Sequence, residues 1–191
     1  LMQMTRSTVA VEEVKEAGTG QLLKRFEELK KKLADEGLFS DQIKREIPRF
    51  PARVGIVTSS SGAALHDILT TLKRRNPGIS IVVYPSLVQG AEAPSTLIQA
   101  LNDCVQHGQS DVVIIARGGG SIEDLAGFND EKLARLIAAF PIPIISAVGH
   151  EVDFTISDFV ADVRVATPTA AAELVAPERT ALLAELVARG T

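Results

Sequence analysis

Short apolar, mostly β-branched runs alternate with helical stretches along the middle of the chain, and this alternation most constrains its fold. The runs at 53–58 (RVGIVT), 79–84, 112–116 and 143–148 are of strand length and are bounded by Gly, Pro, Asn or Ser. Between them, residues 63–75, 95–107 and 129–140 read as helices; the first turns Leu65, Ile68, Leu69 and Leu72 inward. Strands separated by helices imply βαβ units with right-handed crossovers. The expected fold class is therefore α/β: an open, mostly parallel sheet with helices on both faces. In such sheets ligands bind outside the carboxyl ends of the strands.

The flanks are less regular. Residues 8–14 (TVAVEEV) look strand-like, and Gly18 and Gly20 mark a turn. A helix is expected over 21–36, with Leu22, Leu23, Phe26, Leu29 and Leu33 on one face and a Lys- and Glu-rich face opposite. That charged face reads as solvated surface in preference to a DNA contact. Gly37 ends the helix, and a polar connector follows to residue 51. Beyond the fourth strand a short helix is expected at 153–160, and another starts at Thr167-Pro168. A last, truncated helix runs over 178–189.

Composition removes several classes of function. A net charge of −4 argues against a bulk electrostatic binder of nucleic acid, although not against a locally basic groove. The single cysteine, Cys104, excludes an internal disulfide framework and a Cys-rich zinc site, and its expected role is packing. No apolar run approaches the ~18 residues of a membrane span. The N-terminus lacks a signal-peptide pattern and begins abruptly with Leu-Met-Gln-Met, so a fragment of a longer, cytoplasmic protein is expected.

Polar, glycine-containing loops follow three of the strands. The first is Ser59-Ser60-Ser61-Gly62, whose hydroxyls and amides suit either a phosphate or plain N-capping of the next helix. It lacks the spacing and the lysine of a P-loop. After the third strand come Arg117, Gly118, Gly119, Gly120 and Ser121. Consecutive glycines before a helix start expose amides to an anion, and a guanidinium matches a phosphate. The structural alternative for Arg117 is pairing with Glu123, Asp124 or Asp130. After the fourth strand come His150 and Asp153, three apart, which share a face if that turn is helical. A histidine oriented by a carboxylate suits acid–base work near neutral pH, and a satisfied structural histidine is the alternative. Asp67 lies about one turn beyond the serine loop, within reach of the same crevice unless it is simply a solvated helix acid. His66 and His107 are read as surface residues. These residues leave open a phosphodiesterase, a non-catalytic phosphate- or nucleic-acid-binding module, and an enzyme acting on a phosphorylated small molecule. An open, basic channel past Arg117 and His150 would favour a polymer substrate, and a closed pocket a small molecule.

The stretches RVGIVTSSSGAALHDIL, YPSLVQG, ARGGGSIEDLAGFND, IPIISAVGHEVDFTISDFVAD and ATPTAAAELV, in this order, resemble the large subunit of the exodeoxyribonuclease VII family. The likeness covers about residues 21–177. It departs at Ser59-Ser60-Ser61-Gly62, where Ser-Pro-Thr-Gly would be expected. The resemblance implies hydrolysis of single-stranded DNA from both ends into oligonucleotides. It implies that residues 1–17 are the remnant of an upstream OB-fold domain. Residues 18–177 would be the catalytic domain, with a leading helix and connector at 18–52. Residues 178–191 would begin a coiled-coil segment that recruits small subunits. The family's important residues fall on Asp67, Arg117, His150 and Asp153. Arg117 and the glycine amides would stabilise phosphoryl charge, and His150 would transfer a proton. Asp153 would orient His150 or bind a metal, and Asp67 would bind a metal or position water. Two aspartates beside a phosphate suggest Mg²⁺, yet some members of the family work without added divalent metal, so the resemblance leaves the ion open. With DNA capture delegated to the upstream domain, weak or no activity is expected from this chain alone.

Overall fold

The computed structural model of the chain describes residues 4–119 and 122–177. A long helix, α1 (Met4–Asp35), leads through a connector into strand β1 (Arg53–Thr58). Then follow α2 (Ala63–Arg75), β2 (Ser80–Pro85), α3 (Ala93–His107) and β3 (Val112–Ala116). A 3₁₀ segment (Ile122–Asn129) precedes α4 (Glu131–Ala138), β4 (Ile144–Ala147) and α5 (Ile156–Val160). The described residues end with β5 (Val163–Arg164) and α6 (Pro168–Val175).

The strands form one sheet in the order β2-β1-β3-β4-β5, and every pairing is parallel. The α/β expectation therefore holds, with helices on both faces. All five residues of β3 are buried, which is why they read as one continuous apolar run. Alternate side chains feed two cores. Val57, Val113, Ile115 and Ile144 pack on the side of α3, α4 and α5. Ile56, Ile114, Ala116 and Ile145 pack on the side of α2 and α6. Cys104 is buried in the first of these cores, in the packing role expected of it.

Two expectations are corrected. Residues 8–14 are not strand, and no turn forms at Gly18 and Gly20: α1 runs unbroken through all of them. Each glycine costs a helix interior only about 1 kcal/mol, which a helix of 32 residues absorbs. Leu22 and Leu23 do not face inward but remain exposed, while Phe26, Leu29 and Leu33 dock on the core. Gly37, with φ +81°, closes the helix as foreseen, and the Leu38 amide returns to the Leu33 carbonyl. The second correction is β5, which went unforeseen. Its two residues are too few to show a period. The truncated helix expected at 178–189 lies outside the described residues.

The connector after α1 ties helix ends to the sheet. Asp162, buried just before β5, accepts hydrogen bonds from the Ile144 amide (2.7 Å), the Arg45 amide (2.7 Å) and Arg45 Nε (3.0 Å). Arg45 Nη2 reaches the carbonyls of Ile137 and Ala138 at the end of α4, and Lys44 Nζ reaches those of Phe159 and Ala161 around the end of α5. These carbonyls lie in or just beyond the last turns of α4 and α5, where the usual i+4 amide partner is missing. Burial lowers the Lys44 pKa, against the attraction of Asp162 and Asp41. Asp162→Ala would strand a half-buried guanidinium and two amides. A loss of about 3 kcal/mol is expected, seen as a fall in Tm of roughly 6–12 °C for a domain of this size. An unchanged Tm by calorimetry would contradict this role.

Candidate active site

The order of the strands places a topological switch between β1 and β3. β1 leads to α2 on one face, and the chain after β3 leads to α4 on the other, so a crevice opens at their carboxyl edge. A cleft of about 430 Å³ occupies it. Four loops supply its walls, one after each of β1, β3, β4 and β5.

From the β1 side come Ala63, Ala64 and Asp67, all on the first turns of α2. Ser59, Ser60, Ser61 and Gly62 form the turn that leads into the helix, and the cleft wall begins one residue later. Gly62 is the N-cap and brings no side-chain acceptor, so the opening amides of α2 are not covered by a capping side chain. Asp67 is exposed and lies in the cleft wall.

Arg117 follows β3 directly, and its amide continues the ladder to the Ala147 carbonyl at 3.2 Å. Its side chain is 2% exposed, faces the cleft, and pairs with Asp124 at 3.4 Å. Gly118 and Gly119 extend the same wall. Neither has a positive φ, and a Cβ would meet the Ala64 amide only at 4.0 Å from Gly118 and nothing from Gly119. The backbone does not demand glycine at these two positions. What the missing side chains leave is room over the backbone for a ligand. Gly120 and Ser121 lie outside the described residues. The chain resumes as a 3₁₀ segment, and the next α-helix starts only at Glu131, capped by Asp130. The helix N-termini at the cleft thus belong to α2 and α6, and not to a helix opened by the glycines.

His150 stands exposed at the cleft on the loop after β4. The expected helix start at residue 153 is not found. Residues 148–155 form a non-helical turn in which the Asp153 amide donates to the His150 carbonyl at 3.2 Å. The helical spacing invoked for His150 and Asp153 therefore does not apply. Asp153 does not line the cleft, and among the described residues no hydrogen bond joins its carboxylate to the His150 ring. The turn is tight because Gly149 is packed under it. A Cβ there would sit 2.1 Å from the Asp153 carbonyl oxygen and 2.6 Å from Asp158 Oδ2. Asp158, itself buried, accepts from Ser146 Oγ (2.6 Å) in β4 and from the Thr155 amide and Oγ1 (2.8 Å each), closing a capping box on α5. This carboxylate fastens the His150 loop to the sheet.

Residues 166–169, where the sequence shows the start of a helix, form the fourth wall. Thr167 caps α6 by accepting from the Ala170 amide at 3.0 Å, and Pro168 occupies the first turn. Had β5 been visible, the Thr-Pro cap would have been placed at the same sheet edge. Two helix N-termini, each carrying partial positive charge, thus converge on a cleft that also holds a buried guanidinium. The arrangement suits an anion, with an imidazole and a carboxylate at its rim.

A divalent metal fits less well. Among the described residues no group of three or more His, Cys, Asp or Glu side chains is placed to hold one. Asp67 is the one acid in the described cleft wall, and Asp153 does not join it. The described donor set does not form a metal cage.

Comparison with known proteins agrees with the likeness read from the motifs. The sequence model of the family described as "Exonuclease VII, large subunit" matches residues 38–190. The exodeoxyribonuclease 7 large subunit of Sodalis glossinidius is 54% identical over 175 residues, covering 92% of this chain and 38% of that protein. That of Bacillus subtilis is 55% identical over 171 residues (90% and 38%), and that of Legionella pneumophila strain Lens is 59% identical over 167 residues (87% and 38%). The chain spans 38% of the length of these curated relatives.

The Gly149 packing makes a direct prediction. Gly149→Ala has to displace backbone, not a flexible side-chain tip, so about 1–3 kcal/mol of stability is expected to be lost. Thermal denaturation followed by circular dichroism measures it. A Tm equal to that of the unmodified chain would refute the tight turn.

Proposed function

The chain belongs to the exonuclease VII large-subunit family, and we propose that its cleft hydrolyses phosphodiester bonds of single-stranded DNA, releasing oligonucleotides from both ends. The observation that carries this reading is the placement of Arg117. A buried guanidinium in a cleft that the first turns of α2 and α6 and the exposed His150 also line is arranged for a phosphate with a proton-transfer group in the same cleft.

In this reading the scissile phosphate rests against Arg117, the Gly118 and Gly119 amides and the uncapped first turn of α2. These groups stabilise the charge that builds on its non-bridging oxygens as water attacks. His150 takes a proton from the attacking water or gives one to the departing deoxyribose oxygen. The Asp67 carboxylate, which can only accept hydrogen bonds when ionised, positions the water. Asp153 acts on His150 through the turn they share. Serines 59–61 meet the next phosphate along the strand.

The remaining assignments follow from the same family reading. Residues 18–177 are the catalytic unit. Residues 1–17 lead from an upstream OB-fold domain that captures DNA, and residues 178–191 belong to the segment that carries the small subunits. Among the described residues no helix is long and apolar enough to cross a membrane; a cytoplasmic location is part of the same family reading.

Two substitutions in the full-length chain, assembled with its partner subunits, test the proposal. His150→Ala is expected to reduce cleavage of a labelled single-stranded oligonucleotide by about 10²–10⁴-fold with Tm unchanged. Arg117→Lys keeps the charge but loses the planar fork, and roughly a tenfold or greater loss is expected. Undiminished nuclease activity in His150→Ala would overturn the assignment and favour a binding module with cleavage elsewhere.

A further inference from the structure

β5 contributes a second cation near the cleft, Arg164, which no motif marked. It pairs with Ser146 in the register of β4. Its guanidinium carbon lies 3.9 Å from the centroid of the Phe154 ring, and its Nη2 donates to the carbonyl of His150. Its Nε is buried and has no hydrogen-bond partner among the described residues. The side chain therefore gives up solvation to grip both ends of the turn 150–154, at the peptide of His150 and at the ring of Phe154.

The atoms held in this way belong to surface groups. His150 is exposed and Phe154 is 44% exposed. The apolar packing here comes from Val163 and Val165, on either side of Arg164, which lie against the core between the sheet, α2 and α6. Arg164 thus contributes little to the core and directly restrains the residue at the cleft rim. Asp158 anchors the same loop from beneath, through Thr155, but makes no contact with His150 itself among the described bonds.

We propose that Arg164 is a positioning residue for His150, fixing the 150–154 turn by its bond to the His150 carbonyl and its stacking on Phe154 so that the imidazole faces the cleft. The inference rests on His150 being the proton-transfer group of the nuclease. A misplacement of about 1 Å in such a group can cost about a hundredfold in rate. Lysine in place of Arg164 retains a donor for the carbonyl and loses the planar stack.

The test uses the full-length chain with its partner subunits and a labelled single-stranded oligonucleotide. Arg164→Ala is expected to lower kcat by about a hundredfold with little change in KM or Tm, and Arg164→Lys to recover part of the loss. Phe154→Leu, which preserves apolar bulk and removes the stacking face, is expected to lower kcat more mildly. The deciding readout is the double variant. Arg164→Ala added to His150→Ala should cause no further loss, because a residue acting through His150 has nothing left to position. Wild-type kcat in Arg164→Ala, or a loss that multiplies with that of His150→Ala, overturns the proposal. Should Arg164→Ala fail to fold, the same criteria apply to Arg164→Lys and Phe154→Leu. Retained activity in His150→Ala alone would instead remove the nuclease reading on which the inference depends, so the two failures are told apart.

Discussion

The burial of β3 on both faces is the constraint from which the site follows. Its residues pair with β1 on one side and β4 on the other and are closed off from water throughout. A strand held in this way cannot slip by one residue without sending every side chain to the wrong face. The first position beyond it is therefore fixed as firmly as the core, and that position is Arg117. Its amide still belongs to the ladder, so a charged side chain is delivered to the sheet edge by an element with no freedom of its own. Building a site on a rigid strand end is what catalysis by positioning requires.

The acids of the domain divide by burial into two kinds of work. Asp158 and Asp162 are buried, and each accepts several hydrogen bonds from backbone and side-chain donors around it. The first fastens the loop after β4, and the second fastens the connector to the ends of α4, α5 and the sheet. Carboxylates satisfied in this way act as internal cross-links, and removing one would leave several buried donors without acceptors. Asp67 is the opposite case. It is exposed in the cleft wall, where a carboxylate can meet substrate and water. Sequence position does not distinguish these acids, but their surroundings do.

Much of the sheet was legible because its strands are fully or half buried and its helices are amphipathic, so period and punctuation agreed. Arg117, Gly118, Gly119, His150 and Asp67 were legible for a related reason: open parallel sheets collect ligands at their carboxyl edge, and polar residues there stand out against apolar runs. The misreadings have specific causes. His150 and Asp153 share a face only if their turn is helical, and the chain cannot enter a helix while Gly149 lies against the Asp153 carbonyl. The uninterrupted α1 was hidden by two glycines whose cost its length absorbs. The wall at residues 166–169 and the role of Arg164 depend on β5, whose two residues carry no pattern and become a strand only by pairing with β4.

The central claim is that a DNA phosphate is held between Arg117 and the first turn of α2, with His150 beside it. The most direct measurement is a crystal structure of the full-length His150→Ala protein bound to a short single-stranded oligonucleotide. The account predicts a backbone phosphate within hydrogen-bond distance of the Arg117 guanidinium and the amides of Gly118 and Gly119. Density for the oligonucleotide elsewhere, with no phosphate between Arg117 and α2, would contradict it.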